Sequence, residues 1–152
     1  MQAATAPTRH DQATRLLHQH GATATPARVR VLQLLLAADA AMSHQSLQQA
    51  AAAGGHPFDK VTLYRVLDWL AGQGLVHSVA GHDRVRHFSL MNAHHAHAHF
   101  ECGVCGRLFC LRGSLASATP ELPPGFVSDR VDITVHGRCA ECAAAPAPPP
   151  GE

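Results

Sequence analysis

Five cysteines, Cys102, Cys105, Cys110, Cys139 and Cys142, fall in the last third of this 152-residue chain, and four of them form two C-x-x-C pairs. Each pair is a tight knuckle that presents two thiolates to one ion, and two knuckles together suit tetrahedral zinc. Four thiolates fill the coordination sphere. The site expected of Cys102, Cys105, Cys139 and Cys142 is therefore closed and structural, without the open position that catalysis on a metal requires. In a reducing compartment the pattern reads as metal binding rather than disulfides. A redox C-x-x-C or a pair of disulfides are the alternatives; a redox motif is expected singly near a βαβ pattern, which this chain lacks.

Histidine is the second outlier, with 13 residues against 12 Lys plus Arg, and seven of the 13 lie between His77 and His99. His95, His97 and His99 alternate, so a strand there would put all three imidazoles on one face. Cys110 follows the first knuckle, and a hairpin turning at Cys102 to Cys105 would return it beside that strand. His77 and His87 fall on two further expected strands. A second site of His and Cys would then bridge the two halves of the chain. The plainer reading is a His-rich segment that binds metals adventitiously and a small buried Cys110. His10, His18, His20, His56, His82 and His94 read as surface or turn residues. His136 reads as a satisfied polar residue or as a group supporting the second knuckle.

The elements that must position these residues begin with helices. Asp11 to His20 carries good helix formers and stops at Gly21. Thr25 is an N-cap with Pro26 in the first helical position, and Val29, Leu32, Leu35 and Leu36 recur at helical spacing. Ser43 caps a helix from about His44 to Ala53. A further helix runs from Asp59 or Lys60 to Ala71, where Leu63, Val66, Leu67 and Leu70 form one apolar stripe and Lys60, Thr62, Tyr64, Arg65 and Asp68 lie on or beside the other face. Leu75 to Val79 and Val85 to Leu90 are extended runs joined by the turn-prone Gly81-His82-Asp83. Helices followed by a hairpin give the order of a winged helix-turn-helix. Short β-like runs at His97 to Phe100, Arg107 to Leu111 and Val131 to Val135 then give the second half a different character. The expected fold is α+β: a winged-helix domain over 9–90, a small metal-binding domain over 91–144, and disordered tails at 1–8 and 145–152.

Composition narrows the function. No stretch approaches the roughly 20 apolar residues of a membrane span, and the polar start lacks the apolar region of a secretory signal, so a cytoplasmic protein is expected. Formal charge is +1 overall, with six Lys/Arg against four Asp/Glu in residues 1–80 and six against seven in 81–152. Only the first half is mildly suited to DNA. Thr62, Tyr64 and Arg65, near the start of their helix, would meet bases and phosphates in a major groove; otherwise the helix is an ordinary amphipathic one. No Ser/His/Asp or paired-carboxylate arrangement suggests an enzyme.

Several segments together resemble the ferric uptake regulator family of metal-dependent repressors. Thr25-Pro-Ala-Arg28-Val-Arg-Val-Leu32 resembles the family's T-x-x-R-x-x-V-L helix start, and Val61-Thr-Leu-Tyr64-Arg65-Val-Leu67 its T-V-Y-R-x-L recognition helix. Gly74-Leu-Val-His77 resembles the segment entering the wing. His94 to Gly106 resembles the His-rich run into C-x-x-C-G, and Gly137-Arg-Cys139-Ala-Glu-Cys142 the closing G-x-C-x-x-C. The resemblance implies a homodimer, assembled through a small α/β dimerisation domain over 91–144, that binds AT-rich palindromic double-stranded DNA with Tyr64 and Arg65 in contact; Lys60, Thr62 and Arg28 are further DNA-binding candidates. It assigns Cys102, Cys105, Cys139 and Cys142 to structural zinc. Two departures point to the zinc-sensing branch. Ala41 and Met42 precede Ser43 where iron sensors commonly have a ligand His, and Cys110 stands where they commonly have an acidic residue. A thiolate in that place softens the site and favours zinc over iron(II) or manganese(II). The sensory candidates for a second, regulatory zinc are His77, His87, His95, His97, His99 and Cys110, more than the roughly four places of one ion. Rival functions are an iron(II)- or peroxide-responsive regulator on the same scaffold and, from another class, a zinc-ribbon thiol redox or metal-storage protein.

Overall fold

A computed structural model describes residues 6–91, 98–111, 120–129 and 131–145. The chain divides into two compact units, residues 1–92 and 93–152.

In the first unit, α1 (Arg9–Gln19), α2 (Pro26–Ala37), α3 (His44–Ala53) and α4 (Lys60–Gly72) are joined by a small sheet of β1 (Met42–Ser43), β2 (Val76–Ala80) and β3 (Arg86–Leu90). Each helix begins where a side-chain oxygen can accept a backbone N–H that would otherwise lack a partner. The Thr25 hydroxyl accepts from Arg28, Ser43 from Ser46 at 3.1 Å, and the Asp59 carboxylate from Thr62 at 3.0 Å. At α1 the cap is Thr8, paired with Asp11 in a reciprocal capping box. The helix therefore starts at Arg9, two residues before the expected Asp11, and Thr8 is not part of an unstructured leader. Gly74, at φ +71°, takes the left-handed turn that closes α4 and launches β2.

The sheet order is β1-β3-β2, all antiparallel, with His77 opposite Ser89 and Val79 opposite His87. The two wing strands begin and end within a residue of the expected runs, whereas the two-residue β1 carries no sequence signal. Leu17, Leu32, Leu47, Leu63, Leu67, Leu70 and Phe88 are fully buried in one core. Leu63, Leu67 and Leu70 recur on one side of α4, so the opposite side, with Thr62, Tyr64 and Arg65, is left exposed.

In the second unit, β4 (Ala98–Cys102), β5 (Leu108–Cys110) and β6 (Ile133–Gly137) form a sheet of order β5-β4-β6, followed by the single-turn α5 (Ala140–Ala144). β4 and β5 are an antiparallel hairpin, and β6 runs parallel to β4 with Gly137 opposite Cys102. Gly137 gives close packing there: a Cβ would come 3.1 Å from the Phe100 ring, which would have to yield by a few tenths of an ångström. β4 reaches Cys102 and β6 reaches Gly137, two residues farther along than the runs read from sequence, so both strands end at a knuckle. The expected strand residue His97, and the tails 1–5 and 146–152, lie outside the described residues.

Leu67→Ala should lower the stability of the first unit by about 2–5 kcal/mol, because its side chain is fully buried. Urea unfolding followed by the fluorescence of Trp69, the chain's one tryptophan and itself on α4, reads this directly.

Candidate metal centres and nucleic-acid surface

The parallel pairing of β6 with β4 brings together two knuckles about forty residues apart in sequence. Gly103 N–H donates to the Gly137 carbonyl at 2.9 Å, and Cys139 N–H donates to Cys102 Sγ at 3.3 Å. The result is a cage in which the four sulfurs of Cys102, Cys105, Cys139 and Cys142 all lie within 4.8 Å of one another. A zinc–sulfur bond of about 2.3 Å in a tetrahedron sets sulfurs about 3.8 Å apart, and Cys105 Sγ lies 3.8 Å from Cys139 Sγ. None of the four is in a disulfide. The donor set and its spacing fit one tetrahedral zinc.

Electrostatics prepares part of the cage. Backbone N–H groups of Cys105 and Cys139 bring the Cys102 thiol down to about 6, and the N–H of Cys142 lowers Cys139. Cys142 moves the other way, pushed up to about 12 by its hydrogen bond to Cys139 and by burial. Sequence reasoning missed Arg107, whose Nε donates to Cys105 Sγ at 3.4 Å and whose Nη2 donates to Cys139 Sγ at 3.6 Å. Its guanidinium also pairs with the Glu141 carboxylate, inside the second knuckle. His136, at the end of β6, places Nδ1 3.4 Å from the buried Glu101 carboxylate.

The described histidine candidates and Cys110 lie on four strands, His77 and His87 in the first unit and His99 and Cys110 in the second. His99 is buried on β4 and stands directly opposite Cys110 on β5, so the hairpin at the first knuckle sets an imidazole and a thiol side by side on one face. His77 is buried on β2, with Nε2 3.1 Å from the Ser89 hydroxyl. His87 on β3 donates from Nδ1 to the Val85 carbonyl at 3.0 Å. Among the described residues, no three-ligand group includes His87. His95 and His97 lie outside the described residues.

The exposed face of α4 carries Lys60, Val61, Thr62, Tyr64 and Arg65. Thr62 Oγ1 donates to the Asp59 carboxylate at 3.2 Å, and Asp68, at the far end of this face, is paired with Arg86 of β3 at 3.1 Å. Tyr64 stacks on the His44 ring, with centroids 3.7 Å apart and planes at 16°. His44 also donates from Nε2 to the Lys60 carbonyl at 3.4 Å, so one side chain touches two residues a helical turn apart. His44 carried no sequence expectation, because its partners sit on another helix. Arg28 differs from the other DNA candidates: its guanidinium lies over the Trp69 ring at 3.5 Å and donates to the Thr23 carbonyl at 3.0 Å. It braces α2 against α4 rather than extending into solvent.

The model of the ferric uptake regulator family matches residues 19–115 of this chain. The zinc uptake regulation protein of Escherichia coli (strain K12) is 31% identical over 135 residues, which span 86% of this chain and 79% of the relative. A solved zinc uptake regulator complexed with zinc and DNA is similar with a TM-score of 0.62 and 28% identity, over 88% of this chain and 92% of that one. A ferric uptake regulator from Pseudomonas aeruginosa with manganese has a TM-score of 0.64 at 24% identity, over 84% and 98% of the two chains, a likeness of fold alone.

Because metal binding displaces thiol protons, zinc affinity of the four-cysteine cage should fall as pH falls. Cys102, at about 6, is already a thiolate at neutral pH, while Cys142, at about 12, still gives up its proton there. The dependence should therefore steepen by about one proton per zinc below pH 6. Competition titrations against a chelator across pH 5 to 8 check the slope, and a constant slope would contradict the lowered Cys102 thiol.

Proposed function

The chain belongs to the ferric uptake regulator family of metal-responsive transcription regulators, and from that premise we propose that it is a zinc-responsive repressor. In this reading it binds AT-rich palindromic operator DNA as a homodimer when its sensory site is filled. The observation that carries the choice of metal is the 31% identity to a zinc uptake regulation protein along both halves of the chain. Fold similarity does not choose, since regulators bound to zinc and to manganese match it about equally well.

Cys102, Cys105, Cys139 and Cys142 hold the structural zinc, which supplies cross-linking of the two knuckles and no reaction. For the sensory ligands we propose His99 and Cys110, which stand opposite one another on β4 and β5, with the remaining places drawn from His77, His87, His95 and His97. The thiolate of Cys110 supports zinc over iron(II) or manganese(II) as the sensed ion. For DNA we propose the exposed first turns of α4: Tyr64 and Thr62 toward base edges, Lys60 and Arg65 toward phosphates. Arg28 acts indirectly, by bracing α2 against α4. The coupling is linkage: metal strengthens DNA binding only as far as its affinity differs between the DNA-competent arrangement and the others. The proposed role is regulation rather than catalysis. The proposed location is the cytoplasm, whose reducing conditions keep five free thiols; among the described residues no helix is long and apolar enough to cross a membrane.

Fluorescence anisotropy on an AT-rich palindrome tests this. Binding should appear with zinc and disappear after mild chelation, and Cys110→Ser should blunt the zinc response. Arg65→Ala should weaken binding to all sequences and lower the salt slope by about one. Equal affinity with and without zinc, or restoration by iron(II) or manganese(II) alone, would overturn the zinc reading.

A further inference from the structure

Four thiolates around one divalent ion leave two excess negative charges at the edge of a small domain, and something must stabilise them. A cation in hydrogen-bond contact with two of the sulfurs is Arg107, one residue past the Gly that ends the first knuckle. Its planar fork has two edges in use. The Nε–Nη2 edge faces sulfur, donating to Cys105 at 3.4 Å and to Cys139 at 3.6 Å, one thiolate from each knuckle. The Nη1–Nη2 edge faces the carboxylate of Glu141, with Nη1 3.4 Å from Oε1. Glu141 lies between Cys139 and Cys142, so the guanidinium is held by the same knuckle whose sulfur it serves. The Phe109 ring, 5.4 Å from the guanidinium carbon, flanks it.

We propose that Arg107 is a positioning residue of the four-cysteine centre: it ties one sulfur of each knuckle to a single cation, and Glu141 aims it. This rests on the reading of that cage as a zinc site. The ion pair itself contributes little, since the Glu141 side chain is 77% exposed and Arg107 38% exposed. The effect resides in the hydrogen bonds to sulfur, which lower the energy of the lone pairs that bind the metal and hold two separate chain segments at one spacing. A lysine keeps the charge but, as a point donor on a flexible stem, lacks the fork that serves two sulfurs and a carboxylate together.

The test uses the full chain, with zinc and with cobalt(II) in its place. Arg107→Ala should weaken zinc affinity about 10-fold in competition with a chromogenic chelator. Arg107→Lys should recover part of the loss, and Glu141→Gln should show a smaller loss in the same direction. In the cobalt form the sulfur-to-metal charge-transfer band should move to longer wavelength in Arg107→Ala, because sulfur lone pairs without the donors are easier to ionise; a merely structural role would not move it. Arg107→Gln, of similar length, carries both measurements should the alanine variant not fold. Wild-type affinity and an unmoved band in the variants would overturn the role of Arg107. A wild-type chain without a four-sulfur cobalt spectrum would overturn the zinc reading and this inference with it.

Discussion

The second unit depends on four sulfur atoms within 4.8 Å of one another. Among its described residues the buried apolar set is Ala98, Cys102, Leu108 and Cys139, of which two are cage members. A small sheet with few buried apolar side chains is the kind of fold that a disulfide or a metal stabilises, and free thiols at zinc spacing suit the second. The parallel β4–β6 pair, the close approach of Gly137 to the Phe100 ring and the hydrogen bond from Cys139 N–H to Cys102 Sγ all bring the two knuckles to one point.

The first unit is organised in the opposite way. Its core is continuous and apolar, with Leu17, Leu32, Leu47, Leu63, Leu67, Leu70 and Phe88 fully buried. That core lets α4 be a rigid platform: its inner leucines anchor the helix while Lys60, Thr62, Tyr64 and Arg65 stay exposed. Asp59 caps its start, Arg28 braces its middle through Trp69, and His44 holds its first turn at Lys60 and Tyr64. A reader of DNA needs such a platform, because side chains that are already placed lose less entropy on binding.

Local chemistry was legible in the sequence and long-range chemistry was not. Thr25, Ser43 and the Leu63/Leu67/Leu70 stripe announce their helices because a cap and a period involve neighbours three or four residues apart. The Thr8 cap went unread for a local reason: Asp11 was read as the helix start when it is the far half of the capping box. The two C-x-x-C pairs show their chemistry by spacing alone. Nothing in the spacing shows that β6 runs parallel to β4, since that pairing joins residues more than thirty apart. Arg107 and His44 were missed for the same reason: Cys139 and Glu141 for the guanidinium, and Tyr64 for the imidazole, are partners that only the fold brings near.

The central proposal is two unequal zinc sites, one built into the fold and one exchangeable. The most direct test is zinc content per chain, measured as purified, after mild chelation and after reloading, with far-ultraviolet circular dichroism on each sample. The loaded protein should hold two zinc ions per chain, one that survives chelation with the secondary structure intact, and one that leaves and returns. A single zinc at saturation, or two that leave together as the structure is lost, would contradict it.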